Sequence, residues 1–273
     1  MKKMNHNNQK TVLITGASSG IGKALAHEFA TNGFDLMLVA QHQEGLDQVQ
    51  RDLLSKYDII NVWTFTKDLA KDGAAGELYN EIKQVGRTIN ILVNDAGVGQ
   101  WGKFIDIPFS KYEEIIHLNT LALTHLTRLF LPEMVARNEG RILQLGSIAG
   151  FQPGPLLAVY HATKAFVVSL SEALSTELHD MGSDVTITCL CPGPTDTNFF
   201  SRADMEKTRV VDKKEIFMIE PEKVAEGAYK ALMDGERIYI PGAMNKVTTF
   251  IRRAIPKNLQ ARMQKQYYEL VEE

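Results

Sequence analysis

Tyr160 and Lys164 stand one helical turn apart, so both side chains leave the same face of one helix. A free phenol has a pKa of about 10 and is a poor base at neutral pH. An ammonium held beside it favours the phenolate and lowers that value, which makes the pair a general acid or base. Upstream, Ser147 follows the apolar run Arg141-Ile142-Leu143-Gln144-Leu145-Gly146. Its hydroxyl is of the kind that bonds an oxygen on which charge develops. The Tyr-to-Lys spacing recurs at Tyr79 and Lys83. Those two read as an ordinary exposed helical pair, so the spacing alone does not mark a site.

The elements that must hold these residues follow from the apolar pattern. Strands are expected at Thr11–Thr15, Phe34–Ala40, Asn61–Thr66, Asn90–Asn94, Arg141–Gly146, Asp184–Cys191 and Glu236–Ile240. Helices are expected at Gly20–Asn32, Glu44–Lys56, Ala70–Val85, Ser110–Ala136, Pro155–Met181 and Pro221–Met233. The strands are short, mostly unalternating and rich in Val, Ile and Leu, as strands of a parallel sheet covered on both faces are. Regular alternation with helices predicts an α/β fold, a doubly wound parallel sheet of Rossmann type with about seven strands. Residues 1–10 read as a disordered lead, 11–241 as one domain and 242–273 as a helical extension packed on the domain or on a partner subunit. The aperiodic stretch from Pro192 to Glu220 is long enough to be a functional loop.

Between the first strand and first helix lies Thr15-Gly16-Ala17-Ser18-Ser19-Gly20-Ile21-Gly22. Glycine lets backbone approach a pyrophosphate, and a helix N-terminus offers unpaired N–H groups and a positive dipole end. Lys23 gives a superficial likeness to a P-loop, but Ala17 stands where a glycine is needed and Ala24 where a magnesium-binding hydroxyl is needed.

This segment resembles the cofactor motif of the short-chain dehydrogenase/reductase family, and further motifs follow in that family's order. Asp68-Leu69 resembles its adenine contact, Asn94-Asp95-Ala96-Gly97 its Asn-Asn-Ala-Gly motif, and Asn119 its active-site asparagine. Ser147, Tyr160, Lys164 and Pro192-Gly193-Pro194-Thr195-Asp196-Thr197 complete the series. The resemblance spans residues 10 to 240 and departs at Asp95, where the family prefers a second Asn.

The resemblance implies catalytic roles for Asn119, Ser147, Tyr160 and Lys164. Tyr160 would give a proton to a carbonyl oxygen that Ser147 also bonds. Lys164 would acidify the phenol and hold the nicotinamide ribose, and Asn119 would position a water near Lys164. Cofactor contacts would come from Gly16, Ser18, Ser19, Gly20, Ile21, Gly22, Gln41, Asp68, Leu69, Asn94, Ala96 and Gly97. Tyr160, Lys164, Pro192, Gly193, Thr195 and Thr197 would add to them. The second strand ends Val39-Ala40-Gln41-His42 without the acid that binds a ribose 2′-hydroxyl and repels a 2′-phosphate. That favours NADP(H) over NAD(H), with Glu44 the one nearby acid that could reach back. An alternative is a dinucleotide-sensing regulator that has lost its chemistry, although such a protein has little reason to keep both Tyr160 and Lys164.

The remaining composition narrows the partners. The 273 residues are 44% apolar with a formal net charge of −3, which gives no basic footprint for nucleic acid. Cys189 and Cys191 lie on one face of one strand, a poor geometry for a disulfide, and the seven His lack metal-ligand spacing. No secretory signal or transmembrane segment is evident, so a cytoplasmic protein acting on a small carbonyl or alcohol is expected. Trp101, Phe199 and Phe200 should flank the cleft mouth, either to suit a hydrophobic substrate or as packing residues of a lid. The family resemblance implies a homodimer or homotetramer paired through the helices at Pro155–Met181 and Pro221–Met233. In the tail, Arg252, Arg253, Lys257 and Arg262 lie among Phe250, Ile251, Ile255, Leu259, Met263 and Tyr267. It reads as a cap over the cleft, a subunit contact or a helix lying on a membrane surface.

Overall fold

A computed structural model describes residues 9–57, 60–212, 218–252 and 254–270. Most of the N-terminal lead, residues 1–8, lies outside them, as does Arg253 of the tail. Lys10, the last residue of that lead, pairs with Glu139 at 2.6 Å.

Strands β1 (Thr11–Thr15), β2 (Asp35–Ala40), β3 (Val62–Thr66), β4 (Ile89–Asn94), β5 (Arg141–Leu145), β6 (Thr186–Leu190) and β7 (Ile238–Tyr239) form one seven-stranded sheet. Its order is β3-β2-β1-β4-β5-β6-β7, and every pairing is parallel. Alternate residues of a strand serve opposite faces. Val12, Ile14, Leu36 and Leu38 pack with Leu25 and Phe29 of α1 (Gly20–Thr31) and Leu46 of α2 (Gln43–Lys56). Leu13, Met37 and Leu92 pack on the other face with Leu78 and Ile82 of α3 (Ala74–Val85) and Phe130 and Met134 of α5 (Leu123–Ala136). Both faces are therefore dry, which is why the strands lack polar alternation. Each fully buried Leu or Phe contributes roughly 1.5–3 kcal/mol.

The order reverses beside β1, whose neighbours are β2 and β4. Thr15 is level with Val39 on one side and Asn94 on the other. Loops after these strands therefore open into one crevice at the carboxyl edge, where ligands bind in such sheets.

Several boundaries differ from expectation. The helix expected from Ala70 starts at Ala74, because Gly73 before it is left-handed (φ 77°). The single helix expected over Ser110–Ala136 is α4 (Phe109–Ile116), a π-wound stretch (His117–Ala122) and α5. The last strand has only two residues. Helix α6 (Ala158–Asp180) carries Tyr160 and Lys164. The segment after Pro192 holds two short helices, α7 (Phe199–Arg202) and α8 (Arg209–Asp212), and Thr195 bridges to Ile219. Helix α9 (Pro221–Asp234) packs against α1. The extension forms α10 (Ala243–Arg252) and α11 (Lys257–Tyr268), and both pack on the domain. On the α6 face expected to pair subunits, Phe166 is exposed. The described residues of α9 expose no large apolar side chain.

Candidate active site

The glycine turn is shaped by what lies beneath it. Gly16 (φ 72°) and Gly20 (φ 57°) are left-handed, where a side chain strains the backbone. A Cβ on Gly22 would fall 2.5 Å from the Gly16 carbonyl oxygen and 2.6 Å from Asp95 Oδ2. The turn therefore rests on Asp95, whose carboxylate accepts the Gly22 N–H. Burial pushes the Asp95 carboxyl up to about 7, against the opposing pull of Lys164 and the Gly22 bond. The Thr15 hydroxyl accepts the N–H groups of Asp95 and Ala96, each at 3.1 Å. At the position where the family prefers a second Asn, the Asp95 side chain thus bonds the turn itself.

A cleft of about 610 Å³ runs along the sheet edge. Gly16, Ser18, Ser19, Gly20 and Ile21 line its β1 end, with Gln41, Asp68 and Leu69 beside them. Ala96, Gly97, Pro192, Gly193, Thr195 and Thr197 line its middle, and Ser147 and Tyr160 its far wall. Four expected residues do not line it. Gly22 lies under the turn. Asn94 faces the interior, where its amide donates to Gln144 Oε1 at 3.0 Å and Thr127 Oγ1 at 3.2 Å. It braces β4 against β5 and offers the cleft nothing. Asn119 and Lys164 lie behind the lining.

Asn119 sits in the π-wound stretch, a device that re-aims a helical side chain. Its amide oxygen accepts Val98 N–H at 2.9 Å, and its Nδ2 donates to Val98 O at 2.9 Å and Thr163 Oγ1 at 3.1 Å. Asn119 thus clamps the strand-four loop with two bonds. Ser147 caps a 3₁₀ turn (Ile148–Phe151), its Oγ accepting Ala149 N–H at 3.1 Å, and it also bonds the Tyr160 phenol.

The lysine and phenol differ from the expectation of a lowered phenol pKa. Lys164 Nζ donates to Leu145 O at 2.7 Å and lies over the Tyr160 ring, 5.7 Å from its centroid. Tyr160 is half-buried in the cleft wall, and its desolvation pushes the phenol up to about 12 against the pull of the Ser147 bond. Burial lowers Lys164 to about 8, with Asp95 opposing. Cys189 and Cys191 are free thiols beneath, their sulfurs 3.6 Å apart.

Beyond Tyr160 the cleft is apolar, with the expected Phe199 and Phe200 on it and, beside them, Leu157 and Met205, which sequence reasoning missed. Phe199 tilts over Tyr160 with centroids 5.1 Å apart, and Leu157, Phe200 and Met205 join it. The extension supplies Met244, Thr248, Gln264, Tyr267 and Tyr268 as a further wall. Buried side chains bolt that wall down. His161 Nε2 meets Tyr268 Oη at 2.9 Å, its Nδ1 meets Gln152 O at 2.8 Å, and Gln152 Nε2 donates to Gln264 Oε1 at 2.8 Å. Trp101 is part of the bolt and not of the lining: its indole N–H donates to Tyr268 O at 2.8 Å. The apolar spacing of the tail was the sole signal for this wall, and of the readings of the tail, the cap over the cleft matches its placement.

A doubly wound parallel sheet with a glycine turn at its switch point defines a dinucleotide-binding α/β protein. Residues 10–208 match the short chain dehydrogenase family, and the chain belongs to it. The chain is 36% identical over 266 residues to a very-long-chain 3-oxoacyl-CoA reductase-A of Danio rerio, covering 94% of this chain and 78% of that one. It is 38% identical over 179 residues to the corresponding reductase-B of the same organism, covering 63% and 56%. It thus spans little more than half the length of several curated relatives it matches. A solved short-chain dehydrogenase from Sphingobium yanoikuyae in complex with NADPH superposes with a TM-score of 0.77 at 32% identity, covering 91% of this chain and 97% of that one.

Proposed function

We propose that this chain is an oxidoreductase that exchanges a hydride between NADP(H) and a carbonyl or alcohol carrying an extended apolar body. One observation carries the reading: the glycine turn, Ser147 and Tyr160 converge on one cleft, with Lys164 directly behind them. The site fits a dinucleotide, because the Gly16–Gly22 turn is a cradle that side chains would fill. When bound, the nicotinamide supplies or accepts the hydride.

The chain's own residues do the rest. Gly16, Ser18, Ser19, Gly20 and Ile21 present N–H groups and hydroxyls at the start of α1, where an anion is favoured. Asp68 and Leu69 wall the adenine end. Pro192, Gly193, Thr195 and Thr197 hold the nicotinamide end, and Asn119 fixes the opposite backbone at Val98. A phenol at about 12 is protonated at neutral pH, so Tyr160 is placed to give its proton to a carbonyl oxygen. Ser147 shares that oxygen and stabilises its growing charge. Lys164 holds a positive charge beneath the ring that favours the phenolate left behind.

Two features support the finer reading. Gln41, His42 and Ser18 line the cleft beyond β2 and Glu44 does not, so no carboxylate of the β2–α2 turn opposes a 2′-phosphate. The apolar wall beyond Tyr160 suits an acyl or similarly long substrate, in keeping with relatives named 3-oxoacyl-CoA reductases. The test is a binding titration of NADPH against NADH, followed by a panel of ketones and 3-oxoacyl thioesters of rising chain length. Tighter NADPH binding and kcat/KM rising with chain length are expected. Absence of nucleotide oxidation with every carbonyl would remove the enzymatic reading, and preference for NADH would remove the cofactor assignment.

A further inference from the structure

The two helices of the extension present apolar side chains on a face that the other described residues leave exposed. On α10, Met244, Val247, Phe250 and Ile251 are exposed, and their spacing puts them on one arc of the helix. On α11, Leu259, Met263 and Tyr267 are exposed at four-residue intervals, on a strip beside the buried Gln260, Gln264 and Tyr268. Phe250 is 73% exposed and Met244 68%, values unusual for side chains of that size in ordered helices. Met244 and Tyr267 also line the cleft, so the apolar face is continuous with the substrate end of the site.

Charge identifies what the face meets. From Ala243 to Lys265 the sequence contains six cations, Lys246, Arg252, Arg253, Lys257, Arg262 and Lys265, and no acid, in a chain whose net charge is −3. Lys246, Lys257, Arg262 and Lys265 are exposed. Lys257 also donates to Phe151 O at 3.0 Å, and Lys265 lies 3.5 Å from Glu269, the nearest opposing charge. We propose that α10 and α11 dock the protein on an anionic lipid surface, with the apolar arcs in the acyl boundary and the cations at the headgroups, so that the cleft mouth opens at the membrane. An amphipathic helix rich in Lys and Arg binds such interfaces by burying apolar area and by attraction to anionic lipid. A second copy is the poorer occupant, because a two-fold contact sets the same patch on itself and would bring this acid-free segment against its own cations. No helix among the described residues is long and apolar enough to cross a bilayer, so the contact is peripheral.

This goes beyond the proposed reaction, and its test does not use turnover as the readout for docking. The full chain is floated with vesicles of phosphatidylcholine alone or mixed with phosphatidylglycerol, at low and high salt. Flotation with the anionic vesicles only, weakened by salt, is expected. Phe250→Ser with Ile251→Ser should abolish it, and Lys246→Glu with Arg262→Glu should weaken it by about fivefold or more per cation removed. Circular dichroism and consumption of a water-soluble carbonyl should match the parent in both variants, because none of the four side chains lines the cleft. Failure to float with anionic vesicles overturns the proposal, as does flotation that both variants retain. A dimer that the serine variant disperses, without vesicle binding in the parent, would assign the face to a second copy and also overturn it.

Discussion

The chain holds two tyrosine–lysine pairs of identical spacing, and they share an internal geometry. Lys164 Nζ lies 5.7 Å from the Tyr160 ring centroid, and Lys83 Nζ lies 5.9 Å from that of Tyr79. Their surroundings differ. Tyr79 and Lys83 both hydrogen-bond Glu133 on α5, at 3.1 Å for the lysine, on the open face of the sheet's helical layer. Tyr160 lines the cleft wall half-buried and Lys164 is buried behind it, the lysine against a backbone carbonyl and near a buried Asp95. Around Glu133, burial works upward, but the bonds from Tyr79 and Lys83 outweigh it and hold the carboxyl below its usual range. Around Asp95 burial wins and the carboxyl rises to about 7. Geometry within the pair is therefore not what makes a reactive phenol. Desolvation and access to a cleft separate a chemical device from an ordinary surface contact.

Three experiments would break or sharpen this contrast. The largest effect belongs to the phenols. Tyr160→Phe should lower kcat on the order of 10³-fold while nucleotide binding persists. Tyr79→Phe should leave kcat unchanged and cost about 1 kcal/mol of stability. Steady-state kinetics beside thermal melts reads both, and equal activity of the two variants would abolish the distinction.

The lysines come next. Lys164→Ala should lower turnover by about two orders of magnitude and weaken nucleotide binding in titration, through loss of a charge beneath the site. Lys83→Ala should change stability by about 0–1 kcal/mol and affect neither kinetic quantity. Nucleotide affinity untouched in Lys164→Ala would confine that lysine to the proton step.

The smallest effect is the most diagnostic, because the two carboxylates should respond to pH with opposite signs. Glu133 has a depressed folded pKa, so its contribution is present at neutral pH and is lost as pH falls through the carboxylate range. Glu133→Gln should therefore be destabilising at pH 7, with the difference closing in acid. Asp95 has a folded pKa raised from 3.8 to about 7, so its cost is absent in acid, grows as pH rises between those values and is complete above them. Asp95→Asn should gain stability relative to the parent as pH climbs from 4 to 8, on the order of 2 kcal/mol, partly offset by the lost attraction to Lys164. Denaturant melts at several pH values measure both slopes, and slopes of the same sign would contradict the burial argument.

The sheet and the nucleotide end were legible because their signals are local. An unbroken apolar strand, a glycine turn and a helix start are written in consecutive residues, and their alternation implies right-handed crossovers in a doubly wound sheet. The placement of Tyr160 over Lys164 was legible for the same reason. The wall beyond Tyr160 was not. His161, Gln152, Gln264 and Tyr268 are ordinary in sequence, and they matter because residues more than a hundred positions apart meet in the interior. Asn119 was found by resemblance, but its work as a clamp depends on the π-wound stretch, which no periodicity announces. Trp101 was drawn to the mouth of the cleft, and of its two readings the packing one matches its place, because its indole N–H fastens Tyr268. Asn94 was displaced for a similar reason: its amide is satisfied inside the sheet.

The bolt between His161 and Tyr268 has one more consequence. The matched family region ends at residue 208, whereas Gln264 and Tyr268 lie well past it and are joined to Gln152 and to α6 through a few side-chain bonds. Selection can thus rewrite the last turns of this polypeptide, and with them one wall of the cleft, while the glycine turn and the strands beneath it stay as they are.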